Sequence, residues 1–413
     1  MFKSIEIHDW RQFSSVKICF HDKLTVLTGA NGAGKTTILN LLNRHFGWNL
    51  QLVGTPRSGK KGVIRFFSDL WKFRGSSPNV SDSGEDVIGK IVYGDDSESQ
   101  LSIPHEVSNQ YQVNIPRLQS VPGLFISSHR PVYFYQKVTQ IPTSISASGQ
   151  LLENYLNEIR NRYNTNYRVN SASYRIKEAL ISLATLGYGN QVVARNEDAI
   201  STFEGFEKVL SRVLPTNLGF RRILIRMPEV VLDTSSGEFS FDAVSGGISA
   251  IIDMSWQLHM ASKVNPQFVV VIDEPENHLH PTLQKTLLPN FVEAFPNAQF
   301  IIATHNPFMV GSVPDSNVYV LDYDEEKPSR VVSTKLDLIN KAASSSEILR
   351  EALGLSHTKP VWVEQRINEL IEKYGERTLC DTDLKALRED MKELKLDHLF
   401  PETVLRIQGQ ERT

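Results

Sequence analysis

Two cysteines in 413 residues, Cys19 and Cys380, leave no room for a disulfide framework, and two thiols alone do not make a zinc site. No apolar run approaches the roughly 18 to 20 residues that a membrane helix needs, so no membrane role is expected. The first residues (Lys3, Glu6, His8, Asp9) are polar and charged, which argues against a secretory leader and for a reducing, cytoplasmic setting. No internal repeat is present, which excludes a repeat architecture, and no heptad run is long enough for a coiled coil. Net charge is also scarce. The total of −3 conceals a segregation, with residues 1–80 carrying 12 Lys+Arg against 4 Asp+Glu and residues 81–116 carrying 1 against 7. Residues 117–226 are basic again, 14 against 7, and the rest is acidic. Such asymmetry hints at a basic surface in the middle of the chain, although long solvated helices produce it too.

What remains has the composition of a globular chain, 40% hydrophobic and 22% charged, long enough for two or three domains. Residues 2–8 and 15–20 alternate as half-buried strands do, around a turn at Asp9–Gln12, and Leu24–Thr28 is a short buried strand. A helix is predicted from Thr36 to Phe46. Residues 54–62 and 75–99, rich in Gly, Ser, Asp and Lys, read as mobile loops around a small β lobe. A strand follows at Gly123–Ser128, then a helical stretch from about Gly149 to Leu214. Strands return at Arg222–Met227, Val230–Asp233 and Glu238–Phe241. A helix covers about Gly247 to Ser262, buried strands lie at Phe268–Ile272 and Gln299–Ala303, and a polar helical tail begins near Ser344.

Gly29-Ala30-Asn31-Gly32-Ala33-Gly34-Lys35-Thr36 matches the phosphate-binding pattern G-x-x-x-x-G-K-[ST] in full, between a strand and a helix. Glycines let the loop wrap so that amides from about Asn31 to Thr37 point at a β-phosphate, and the helix dipole adds to them. Lys35 supplies a point charge between β- and γ-phosphates, and the Thr36 hydroxyl is suited to Mg²⁺. Far downstream, Phe268–Ile272 ends in Asp273-Glu274. A central strand of this kind delivers Asp273 to the Mg²⁺ and Glu274 to the attacking water as general base. ATP and Mg²⁺ are the ligands expected.

These motifs carry a resemblance to the ABC-type ATPase heads of the SMC, Rad50 and OLD families. Asp273-Glu274-Pro275-Glu276-Asn277-His278-Leu279-His280-Pro281 resembles their D-E-P-E-x-x-L-H-P stretch, and Thr304-His305-Asn306-Pro307 their T-H-[SN]-P switch. Val244-Ser245-Gly246-Gly247 is similar to the L-S-G-G signature, and Trp10-Arg11-Gln12-Phe13 to the N-F-R-x-F segment. The resemblance implies an α/β P-loop head with a mixed N-terminal β lobe and a parallel-sheet core flanked by helices. The first lobe would span 1–148, a helical insertion 149–220, the second lobe 221–335, and a helical tail for partner docking 336–413.

It further implies that Ser245, Gly246 and Gly247 meet the γ-phosphate held by a second subunit, so that ATP is sandwiched in a homodimer or higher homo-oligomer. His305 would contact the γ-phosphate and Glu274, and Arg11 the nucleotide. The Q-loop glutamine, a further metal ligand, should follow the strand at Gly123–Ser128. Gln136 is preferred over Gln140, and Arg130 is the other residue there that could face phosphate. Stand-alone heads of this type resemble the ATPases of anti-phage systems such as Septu, which implies a sensor or switch controlling a separate nuclease or toxin. A repair ATPase clamping DNA through Arg160, Arg162, Arg168, Arg175, Arg221, Arg222 and Arg226 is the alternative. Asp381-x-Asp383 could be read as a nuclease pair, but acidic residues at a helix start are the ordinary reading.

Overall fold

A computed structural model describes residues 1–58, 64–68, 85–104, 107–165, 170–324, 327, 330–337, 345–352, 359–375 and 380–410. The expected loop residues 59–62 and 75–84, and Arg168, lie outside these.

The chain opens with β1 (Phe2–Trp10), β2 (Phe13–Cys19) and β3 (Leu24–Gly29), followed by α1 (Lys35–Asn43). Short strands β4 (Leu52–Val53), β5 (Thr55–Ser58) and β6 (Ile64–Phe67) lead to β7 (Glu85–Tyr93), β8 (Glu98–Pro104), β9 (Gln110–Tyr111) and β10 (Gly123–Ile126). Helices α2 (Ser148–Thr165), α3 (Ala172–Tyr188) and α4 (Glu197–Val213) precede β11 (Phe220–Arg226), β12 (Glu229–Thr234) and β13 (Gly237–Ser240). Then come α5 (Gly246–Val264), β14 (Phe268–Asp273), α6 (Pro281–Ala294), β15 (Ala298–Ala303), α7 (Pro307–Val310), β16 (Asn317–Tyr323) and β17 (Val331–Lys335).

Ten strands form one sheet in the order β10-β14-β15-β3-β16-β17-β2-β1-β7-β8. Its first five strands are parallel, and β3, β14 and β15 are buried at every residue. Continuous apolar runs such as Phe-Val-Val-Val-Ile suit strands covered on both faces. The other half is mostly antiparallel, and β1 and β2 alternate buried with exposed as a one-faced strand must.

Register decides what the parallel half does. Asp273 pairs with Ala303, Ala303 with Leu27, and Leu27 with Tyr319, so four strands end at one edge. The residues just beyond (Glu274, Thr304 and His305, and the loop from Gly29) therefore emerge together, at the carboxyl ends where open α/β sheets hold ligands.

Residues 85–99 correct the loop expectation, because β7 and β8 are long strands of the main sheet. Gly89, which reads as a loop residue, marks a close approach instead: a Cβ there would lie 1.9 Å from the Glu6 carbonyl oxygen. The helical insertion packs as a layer, with α2 and α4 against α5 and α3 between α2 and α4. The three-stranded sheet β11–β13 lies against α3 and α4.

The chain divides into two compact units, 1–348 and 349–413. The second contains α8 (Val361–Tyr374), α9 (Asp381–Glu393) and α10 (Phe400–Gln410), around Val363, Ile367, Leu370, Leu387, Met391 and Ile407. Within it Asp383 accepts from the Cys380 backbone N–H at 3.2 Å, a helix-start role for that acidic pair.

Candidate active site

β3 hands the chain to the phosphate loop through Gly29, at φ 133°. A Cβ on Gly29 would lie 2.1 Å from the Leu321 carbonyl oxygen of β16, so both conformation and space demand glycine. Gly29→Ala is expected to cost about 2–4 kcal/mol. The check is a lowered urea midpoint at unchanged m-value.

Gly32 and Gly34 take left-handed conformations, at φ 82° and 97°, which curls the loop and turns its amides inward. Gly34 caps α1 without any side-chain bond, leaving the first-turn amides open for an anion. The β1–β2 turn covers the loop. Gln12 Nε2 donates to the Gly32 carbonyl at 3.4 Å, and Gln12 and Phe13 occupy the space a Cβ on Gly34 would need. Arg11 sits in that same turn, with φ 50°.

Lys35 Nζ bonds the carbonyls of Gly29 at 2.9 Å and Ala30 at 3.0 Å, folding back over the loop. Burial pushes its pKa down to about 8, against the pull of Asp273, Glu274 and Glu276. Thr36 Oγ1 donates to Asp273 Oδ2 at 3.0 Å. That contact brings residues from two motifs, 237 positions apart, into one pair of hard oxygen donors. Burial raises the Asp273 pKa, ahead of the opposing Thr36 bond. A buried carboxylate beside a hydroxyl fits Mg²⁺, which takes one or two protein oxygens plus phosphate oxygens and water. No cluster of three acidic, His or Cys side chains suited to a metal occurs among the described residues.

Glu274 is held at φ 48°, a left-handed conformation rare outside glycine. Its N–H donates to Ala303 O at 2.8 Å, and its own carbonyl accepts both terminal nitrogens of Arg130 at 3.1 Å. Its carboxylate accepts from Asn277 Nδ2 at 2.9 Å and lies 3.9 Å from His305 Nε2. His305 is positioned in turn by its backbone N–H on Glu276 at 3.2 Å, and Thr304 also bonds that carboxylate. Burial, with Lys35 nearby, lowers the His305 pKa despite Glu274, which favours the neutral imidazole with one ring nitrogen to donate and one to accept. The site can therefore bind a polyphosphate and present a carboxylate to a water.

Lys35, Thr36, Asp273, Glu274 and His305 thus stand together. Ser245 does not join them: it is exposed and caps its own helix, accepting the Ile248 N–H at 3.4 Å. Gly247 abuts the His278 carbonyl, where a Cβ would come within 2.9 Å. No hydrogen bond or ion pair connects Ser245, Gly246 or Gly247 to Lys35, Asp273 or Glu274 among the described residues.

Gln136 is also elsewhere, which corrects its assignment as a metal ligand. Its amide nitrogen donates to Asn170 Oδ1 at 2.7 Å and its amide oxygen accepts the Ser171 N–H. Both ends of the side chain are used at the start of α3. From this segment it is Arg130 that reaches the carboxylate strand, through the Glu274 peptide carbonyl. Asn277, which holds the Glu274 carboxylate, stands at an x position of the D-E-P-E-x-x-L-H-P stretch, so the pattern assigned it no role.

The family profile described as "AAA domain, putative AbiEii toxin, Type IV TA system" matches residues 24–311, more than half of the chain. The chain is similar to the Septu protein PtuA of Bacillus thuringiensis, 20% identical over 390 residues, covering 88% of this chain and 87% of that one. It is also similar to the Retron Vc95 probable ATPase of Vibrio cholerae serotype O1 biovar El Tor, 20% identical over 440 residues and covering 90% and 82%. Among solved structures, the SMC head domain from Thermotoga maritima aligns with 81% of this chain and 99% of its own, at 15% identity and a TM-score of 0.44.

Proposed function

The chain belongs to the AAA domain family described as "AAA domain, putative AbiEii toxin, Type IV TA system", and from that membership we propose that it binds and hydrolyses ATP as a dimeric switch in anti-phage defence. The observation that carries this reading is the meeting of Thr36 with Asp273 at 3.0 Å beside Lys35, Glu274 and His305. Gly29–Thr37 would hold the phosphates, with Lys35 leaving the Gly29 and Ala30 carbonyls for the β- and γ-oxygens. Thr36 and Asp273 would hold Mg²⁺, which supplies charge neutralisation on the phosphates when bound. Glu274 orients the attacking water and takes its proton, while His305 and Asn277 fix the carboxylate.

Hydrolysis needs more than one chain in this reading. Ser245 and the first amides of α5 would form an anion site that, among the described residues, no hydrogen bond joins to Lys35, Asp273 or Glu274. A second copy would place that site on the γ-phosphate, giving two composite sites per dimer. The similarity to a Septu protein and a retron ATPase supports an output in a separate effector, a nuclease or toxin.

The DNA-clamp alternative is less well supported. Arg222 and Arg226 are exposed but paired with Asp233 at 3.2 Å and Glu238 at 2.6 Å. Arg160 bonds Glu153 at 3.0 Å, and Arg175 bonds Glu178 at 2.9 Å. Each of these four arginines already faces a carboxylate of its own chain.

The test is mass in solution. Glu274→Gln with ATP and Mg²⁺ should sediment as a dimer, and the same variant carrying Ser245→Arg should remain a monomer with ATP bound. A Glu274→Gln chain that stays monomeric at saturating ATP sinks the sandwich.

A further inference from the structure

A strap, residues 130–136, buried at Arg130 and Tyr133 and exposed at Val132, Phe134 and Tyr135, runs between the catalytic peptide and the turn that presents Ser245. At its start the Arg130 guanidinium grips the Glu274 carbonyl. In its middle Tyr133 stacks on Phe241, with ring centroids 6.0 Å apart and planes 16° from parallel. At its end the Gln136 carbonyl accepts from Lys177 Nζ at 2.6 Å, and the Gln136 N–H donates to Asp242 Oδ2 at 3.4 Å. Lys177 also bonds Asp242, and Glu229 at 3.4 Å. Asp242 lies three residues before Ser245. One turn therefore receives both the stack and the ion pair.

Asp253, two turns into α5, is buried like Arg130 and carries the opposite charge. Among the described residues its Oδ1 and the Tyr133 hydroxyl have no hydrogen-bond partner. Lys177 is the tighter node. It is fully buried, at 0% exposure, and comes from α3 of the insertion, outside every nucleotide-binding motif. A buried ion pair adds little net stability over an apolar pair of the same volume, but it demands one geometry. The geometry demanded here joins three segments, the strap end, β12 and the turn at Asp242.

We infer that Lys177 is a positioning residue, holding the strap that carries the Glu274 peptide in fixed relation to the turn that presents Ser245. Ser245 serves the partner's γ-phosphate in the sandwich reading, on which this inference rests. Each strap then links its own hydrolytic site to the site across the dimer. Loosening the node should leave a chain able to bind ATP in its own phosphate loop but unable to offer Ser245 in register.

The experiment uses the full chain in the Glu274→Gln background, with a fluorescent ATP analogue for affinity and sedimentation for dimerisation. Lys177→Met strands Asp242 without its cation, so Lys177→Met/Asp242→Asn is the companion variant that keeps the Gln136 acceptor and removes the buried charge. In the folded variants, nucleotide affinity should stay within about twofold of the parent while half-dimerisation requires at least about tenfold more ATP. Lys177→Arg should recover most of the difference. A merely structural role would lower the melting temperature and move both readouts together, which overturns the inference. So does a folded double variant that dimerises at the parent's ATP concentration. A parent that never dimerises removes the sandwich and this inference with it, a failure visible before any Lys177 variant is made.

Discussion

Glu274→Gln should lower steady-state ATP turnover by about 10²–10⁴-fold while leaving ATP binding within a few-fold of the parent. The amide keeps the size of the carboxylate and loses its basicity. It can still occupy the pocket between Asn277 and His305, 2.9 Å and 3.9 Å from the acid it replaces. The backbone bonds that hold residue 274, from Arg130 and to Ala303, do not involve the side chain and should survive. Measured together, turnover and equilibrium nucleotide affinity separate the base from the binding loop. A loss of affinity equal to the loss of turnover would mean that Glu274 supports the loop rather than the water. Undiminished turnover would move the base elsewhere, and His305 is the neighbour placed to take it.

The binding half of this site was legible because it is contiguous. Eight residues from Gly29 to Thr36 contain their own turn chemistry, and the left-handed angles at Gly32 and Gly34 follow from the glycines alone. The hydrolytic half was legible for a different reason. Asp273 and His305 each follow a short apolar run, and parallel strands end at one sheet edge, so position along the run stands in for position in space.

The segment after β10 offered no such proxy. It has no regular structure, so no period places Gln136 rather than Gln140, and Gln136 bonds the start of α3 instead. Arg130 was similarly opaque, since its partner is a peptide carbonyl 144 positions away that no side-chain pattern reveals. β7 and β8 were misread because Gly, Ser and Asp there suggested loops. Gly89 is present for the close passage of β1, not for a turn. Composition reports local freedom, whereas a sheet partner far along the chain decides whether that freedom is used.

The opposite case to Glu274 is Lys35, where binding and stability should change in opposite directions. Lys35→Met should weaken ATP binding by at least about 100-fold, since hydrogen bonds to charged groups contribute on the order of 1.5–3 kcal/mol each and Lys35 would make more than one. The same change should stabilise the empty protein. Folding buries the ammonium with, among the described residues, only the Gly29 and Ala30 carbonyls as hydrogen-bond partners, and its pKa falls to about 8. A lysine depressed in the fold costs stability wherever it is charged in both states. That cost is complete below pH 8 and fades as pH rises toward the unfolded value of about 10.4. Discounted for partial solvent screening, it amounts to on the order of 1–3 kcal/mol at neutral pH. Met fills similar volume without a charge, so the variant should unfold at higher urea than the parent at pH 7, with the two converging near pH 10. A variant less stable than its parent at pH 7 would show that Lys35 braces the loop. The phosphate site would then be organised by its cation before any nucleotide arrives.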